Sequence, residues 1–327
     1  MRLTAEQKAE IIRLKRGGMG YRTIATHMGM KHPTVRSVCQ RSGLFADNPA
    51  HRAMFPIPEP RYSTALATVK PLPPQRVITG HRQTDAYLWV LEVIKLDEPA
   101  HLPAAEIALQ KLTITPKEAE NRYRNWMVSQ GQELFIAAFS TIGMDNPQRC
   151  IDNARKAIDT ASQVRAYYGS YEAAMEPTEP EHLIEQSGLL VDVNYGMAPN
   201  EIESGELKGL RCLDVADARS VAHQGFCDVL PEPHTLSDVV REFEYWSWLY
   251  TIRNAASKEL GDMSYEHNPR VCDREDWLDG KLATISPIHQ QEALAVLKWF
   301  LKSDRHQDCG GDNDAVYLNL LGGGLDR

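Results

Sequence analysis

Apolar positions recur at helical spacing along much of the 327-residue chain, and capping residues mark where many of the runs begin. Thr4 with Gln7 three residues on forms a capping-box pattern ahead of a helix from Ala5 to about Arg16, with Ala9, Ile12 and Leu14 as its apolar residues and Gly17-Gly18 as its stop. A second short helix is predicted from about Tyr21 to Met28, ended by Gly29. A third begins near Lys31 or His32, with Pro33 in the first turn, where its missing N–H matters little.

The pattern breaks after Ser42. Pro49, Pro56, Pro58, Pro60, Pro71, Pro73 and Pro74 each bias the preceding residue away from the helical region, so the segment reads as an extended, stiff linker, with Phe55, Ile57 and Tyr62 free to lie on a neighbouring surface. Helical signals return at 85–96 (DAYLWVLEVIKL), apolar on so broad a surface that a core position is expected. Thr115, Pro116 and Glu118 open another helix, GQELFIAAFSTIG (131–143) continues either as a new apolar helix or as the same one kinked, and Asn146-Pro147 start a third. Residues 176–234 are rich in Glu, Gly and Pro and give only an apolar island at 188–193 and a helix at 214–224. Thr235 and Asp238 then open a long helix to Leu260, stopped by Gly261. Ser286-Pro287 start the next, with Ala293, Leu294, Val296, Leu297, Phe300 and Leu301 inward, before a glycine-rich tail around DAVYLNLL. The expected fold is mainly α: a three-helix domain at 1–42, a Pro-rich linker at 43–80, a helical domain at 81–175, and a mainly helical C-terminal domain at 176–327, separate from the previous one or continuous with it.

Composition fits a soluble globular chain, 43% hydrophobic and 24% charged. No apolar run reaches membrane-spanning length and the N-terminus lacks the apolar core of a signal peptide, so a cytoplasmic location with no membrane partner is expected. Six scattered cysteines without a CxxC pair point to free thiols. The net charge of −8 conceals an asymmetry: residues 1–41 hold nine Lys/Arg against Glu6 and Glu10, a balance of +7. Residues 42–82 bring the running total to +10, leaving −18 for the rest, so the N-terminal end alone attracts a polyanion.

Within that basic end, Ile24, Met28, Met30, Val35 and Val38 are spaced as the contacts between two short helices, Ala25 is the small residue at their approach, and Gly29 supplies the turn. Residues 4–41 thereby resemble the three-helix helix-turn-helix unit of resolvases, transposases and homeodomain-like repressors, over about a tenth of the chain. The resemblance implies that the last helix lies in a DNA major groove. Lys31, His32, Thr34, Arg36, Ser37, Gln40 and Arg41 then form its outer face, with Arg22 and Thr23 beside it for phosphates. The plain alternative is a protein-binding hairpin whose basic face is merely solvated; the charge asymmetry argues for DNA. A second candidate at 102–127 would show Asn121, Arg122 and Arg124 outward, but Leu112 replaces the turn glycine and the turn is too long, so a plain helical pair is expected.

Catalytic and metal chemistry finds little support. The serine-recombinase pattern is absent, His306, Cys309 and Tyr317 lack the matching arginines of a tyrosine recombinase, and Asp214, Asp217 and Asp228 are three carboxylates among 44 Asp/Glu. Cys212, His223, Cys227 and His234 do not follow structural-zinc spacing, and GGDNDAV (310–316) lacks the defining residues of a phosphate or calcium loop. No catalytic residue, metal or cofactor is expected. The aromatic run 242–250 is apolar on both faces, which suits either a deeply buried helix or one completed by a second subunit. The expected protein is a dimeric, sequence-specific double-stranded-DNA-binding regulator of transcription, in a mobile element or prophage by family analogy, with an acidic body open to a protein partner. A DNA-processing accessory factor and a protein-interaction module without nucleic acid are the alternatives.

Overall fold

The computed structural model describes residues 3–16, 19–63, 69–262, 265–303, 305–308 and 313–322, and among these it is helical with no strand, the mainly α class expected. None of the described helices is long and apolar enough to cross a membrane.

The N-terminal capping box closes in both directions: the Gln7 N–H donates to Thr4 Oγ1 at 3.1 Å and the Thr4 N–H to Gln7 Oε1 at 3.0 Å. It opens α1 (Ala5–Arg16), which is followed by α2 (Tyr21–His27) and α3 (His32–Ser42). Ile11 and Leu14 of α1 meet Ile24 and Ala25 of α2 and Val35 and Cys39 of α3. The inward stripe of α1 thus runs through Ile11, while Ala9 is exposed and Ile12 half-buried, one position off the sequence expectation. α2 ends in a Schellman turn, with the Met30 N–H on the Ala25 carbonyl at 2.8 Å and the Gly29 N–H on Thr26 at 3.2 Å. Gly29 has φ +62°, so a side chain there is strained by backbone conformation although nothing crowds it. The proposed stop at Gly17-Gly18 lies outside the described residues.

Residues 43–58 differ most from the expected linker. Asn48 caps α4 (Pro49–Met54) by accepting the Ala50 N–H, and Pro49 occupies the first turn. His51 and Phe55 are fully buried, Phe55 packing its edge against Tyr245 and Trp246 at ring separations of 5.4 and 5.8 Å. High proline content here reports stiffness, not lack of contact.

Then come α5 (Arg82–Ile94), α6 (Leu102–Gln110), α7 (Pro116–Ser129), α8 (Leu134–Ser140), α9 (Pro147–Tyr168) and α10 (Tyr171–Met175). Tyr87, Val90 and Ile94 of α5 form a core with Leu102, Ala119 and Ile151. The last part of the chain holds α11 (Glu179–Glu185), α12 (Pro199–Ser204), α13 (Arg211–His223), α14 (Leu236–Leu260), α15 (Pro269–Thr284), α16 (Gln290–Lys302), α17 (Arg305–Asp308) and α18 (Asn313–Gly322). Two compact units result: Met1–Pro58 with Glu176–Tyr250 and Glu266–Arg327, and Glu59–Met175 with Thr251–Tyr265. The first unit therefore takes in the N-terminal segment that the sequence set apart.

The core of the first unit is built on α14. Val239, Phe243, Trp246 and Leu249 are buried against Val271, Leu278 and Leu282 of α15 and Phe300 of α16. Of the two readings of the aromatic run, the structure has the buried core helix. Glu242 is fully buried in the same helix. It accepts two hydrogen bonds from the fully buried Arg274, at 2.7 and 2.9 Å, one involving His51 Nε2 at 2.7 Å and one from Trp246 Nε1 at 3.3 Å. Burial works to raise the Glu242 pKa, but the Arg274 charge and these hydrogen bonds outweigh it and hold the carboxyl below its ordinary value. Asp238, one turn earlier, accepts the Asn48 and His234 N–H groups at 2.8 and 3.0 Å, and Asp47 accepts from Thr235 Oγ1 and Arg241 Nη2. Residues 47–55 are thus stitched to α14 by charge as well as by Phe55.

Glu275, next to Arg274, behaves in the opposite way. Burial pushes it up to about 7, Arg305 at 3.6 Å opposes, and Asp279, Asp276 and Glu242 reinforce the rise. A carboxyl that binds its proton more tightly when folded stabilises the fold below its ordinary pKa near 4.5 and loses that contribution as pH rises through about 7. Glu275→Gln should therefore raise stability above pH 8 by on the order of 2–3 kcal/mol and change it little near pH 4. Urea titrations at both pH values check this; an unchanged difference between them would contradict the buried-carboxyl account.

Candidate nucleic-acid interface

The inner face of α3 is set by Val35 and Cys39, one turn apart and buried, and its outer face follows from that constraint. Lys31, Arg36, Gln40 and Arg41 are exposed, and His32, Thr34 and Ser37 are half-buried. Arg22 and Thr23 are exposed on α2. The starts of the two helices lie together, because Tyr21 meets His32 edge to face at 6.2 Å. All nine sequence-predicted residues are therefore on the surface, seven at or along α3 and two beside its beginning.

Electrostatics sharpen the arrangement. Residues 11–46 contain seven Lys/Arg and no Asp or Glu. The nearest preceding carboxylate, Glu10, is bound by Arg13 through two hydrogen bonds of 2.6 and 2.7 Å. On α3 itself, Arg41 Nε donates to Ser37 Oγ at 3.1 Å, which lays the guanidinium along the helix instead of leaving it to wander. No side chain caps the N-terminus of α3. Cys39 is a buried free thiol whose pKa burial raises, so it serves packing rather than reactivity.

Two concavities flank these helices. One, of about 530 Å³, runs along the His32, Arg36 and Gln40 side of α3 and is walled by Tyr21 and Phe45. The other, of about 610 Å³, brings Lys15, His234, Lys281 and His289 together around Tyr21, with Glu232 the one carboxylate among its lining residues. Lys15 Nζ stands 4.9 Å over the Tyr21 ring. Sequence reasoning missed this second basic group. Lys281 and His289 come from the far end of the chain, and no local pattern marks them as neighbours of α1 and α2.

The second helix-turn-helix candidate has a different form. α6 packs chiefly on α5 and α7 on both α5 and α8, Arg122 is held by Glu118 at 2.8 Å, and Arg124 is paired with Glu120, while Asn121 is exposed. The two arginines are neutralised where they stand.

The chemical candidates are scattered. His223 is buried, its Nδ1 taken by the Gly225 N–H at 3.0 Å, while Cys212 is exposed and His234 bonds the Gly43 carbonyl. Asp228 accepts from Ser187 and Gly188, and Asp214 faces Arg211 at 3.4 Å. His306 and Tyr317 both pack on Phe300. Cys309 and residues 310–312 of the loop sequence lie outside the described residues. Among the described residues no three His, Cys, Asp or Glu side chains converge as metal ligands. Comparison with protein-family models, with curated proteins and with solved structures finds no match, so the functional reading rests on the residues themselves.

Proposed function

We propose that the chain is a sequence-specific double-stranded-DNA-binding protein that reads its site with α3. The observation carrying this reading is the acid-free, basic outer face of a helix whose opposite face is fixed by packing. Arg36 and Gln40 supply base-edge contacts, since a guanidinium pairs with guanine and a carboxamide with adenine. Lys31, Arg41, Arg22 and Thr23 hold phosphates, with His32, Thr34 and Ser37 filling the contact between them. Lys15 and Lys281 extend the basic surface. The use is control of transcription, in the cytoplasm, and the resemblance of residues 4–41 to transposase and repressor units extends it to a mobile element or prophage.

Selection of bound sequences from a random DNA pool tests the reading. Full-length protein should enrich one motif, and Arg36→Ala with Gln40→Ala should relax it by ~1–3 kcal/mol per lost base contact. Arg22→Ala should instead weaken all sequences alike and reduce the slope of log affinity against log salt by about 0.9. An unchanged motif in the α3 variant would remove α3 from the account.

A further inference from the structure

α8 is seated in reverse. An ordinary surface helix turns its large apolar residues inward, yet α8 rests on the fully buried Ala137 and the half-buried Ala138, and the fully buried Thr141 follows at its end. Arg124 clamps that end, its Nε and Nη2 donating to Thr141 Oγ1 at 3.1 and 3.0 Å. The large side chains point away: Leu134 is 69% exposed, Phe135 77%, Ile136 49%, Phe139 68% and Ile142 71%. Phe135 and Phe139 stack on one another, with centroids 6.3 Å apart, instead of on the body. Between Arg124 and Asp145 the single charge is Glu133.

We propose that this face is where two copies of the chain pair. Five such side chains present roughly 600 Å² of apolar surface, the upper end of what a soluble monomer leaves in one patch. That is most of the ~800 Å² each partner gives to a stable protein pair. A two-fold contact brings a patch against itself, which a charged patch resists and a neutral, aromatic one favours. The arginines nearest to this face in sequence, Arg122 and Arg124, are engaged by Glu118 and Glu120 and so offer a nucleic acid or anionic lipid surface little to bind. The pairing stands on the geometry of α8; its use rests on the DNA reading, in which two linked α3 helices bind one site more tightly than either alone.

The test is sedimentation velocity of the full-length protein from roughly 1 to 100 µM, where mass action separates dimer from monomer. Wild type should sediment as a dimer, and Phe135→Ser with Phe139→Ser should associate at least tenfold more weakly while keeping its far-UV circular dichroism. Ile142→Ser, outside α8, gives a second variant should the first lose helicity, and it too should weaken association. Monomeric wild type throughout the range overturns the proposal, including where a different protein covers the face, and so do variants that dimerise as wild type does. Arg36→Ala with Gln40→Ala should stay dimeric while its DNA motif relaxes, so failure of the pairing and failure of the DNA reading give different results.

Discussion

Arg274→Ala should destabilise the first unit by about 3–5 kcal/mol, because it strands a fully buried carboxylate at Glu242 without its cation. Such a loss lowers the thermal midpoint of a unit this size by on the order of 10 °C. The guanidinium leaves more than one partner behind: it also donates to the carbonyls of Gly225 and Pro231 and lies 4.4 Å from the Trp277 ring centre. Gly225 itself admits that ring, since a Cβ there would come within 2.1 Å of it. Removing both charges together, Arg274→Met with Glu242→Leu, should cost less than the sum of the single changes. The pH dependence follows from the sign of the shift. Glu242 is held below its ordinary value of 4.5, so its contribution is complete above that pH and disappears as pH falls through the lower folded value. Circular-dichroism melts across the acid range should show a steep loss in wild type and a shallower one in Arg274→Ala. Identical acid limbs would remove Glu242 as its source.

Two truncations should separate sharply. Removing residues 1–42 deletes α1 to α3 and their own small core, so the remainder should keep a cooperative unfolding transition. Removing residues 1–58 also takes His51 and Phe55 from the α14 core and Asp47 and Asn48 from its polar seam, and should abolish that transition in the first unit. Phe55→Ala alone should cost about 3–5 kcal/mol, the value for emptying a buried aromatic site. Equal stability of the two truncated proteins would mean that 43–58 is a linker after all.

Which elements the sequence revealed depended on whether their partners were local. α1, α7, α9 and α14 announce themselves through capping residues within a few positions; on α3 apolar spacing places Val35 inward, whereas its buried partner is Cys39 and Val38 is half-buried. α15 stayed hidden because its stripe of Val271, Leu278 and Leu282 is interrupted by DRED, which reads as solvated surface. The counter-charge that lets Arg274 be buried is 32 residues away, on α14. α4 was masked by the prolines around it. The start of α16 was misplaced at Ser286-Pro287 because the cap is an imidazole: His289 Nδ1 accepts the Glu292 N–H at 2.9 Å, a role played again by His81 at the start of α5. The candidate interface divides along the same line. Its α3 residues were legible from periodicity and charge, whereas Lys281 and His289 become its neighbours only through tertiary folding.

The anchoring of Asp47 and Asn48 leaves four residues, 43 to 46, between the end of α3 and the first tether on α14. Fully stretched they reach roughly 15 Å, and His234 takes up part of that slack by bonding the Gly43 carbonyl. On the proposed reading, the helices that meet DNA travel on a short leash. They inherit their aim from the body that holds them, and a longer insertion at 43–46 would trade that aim for search volume.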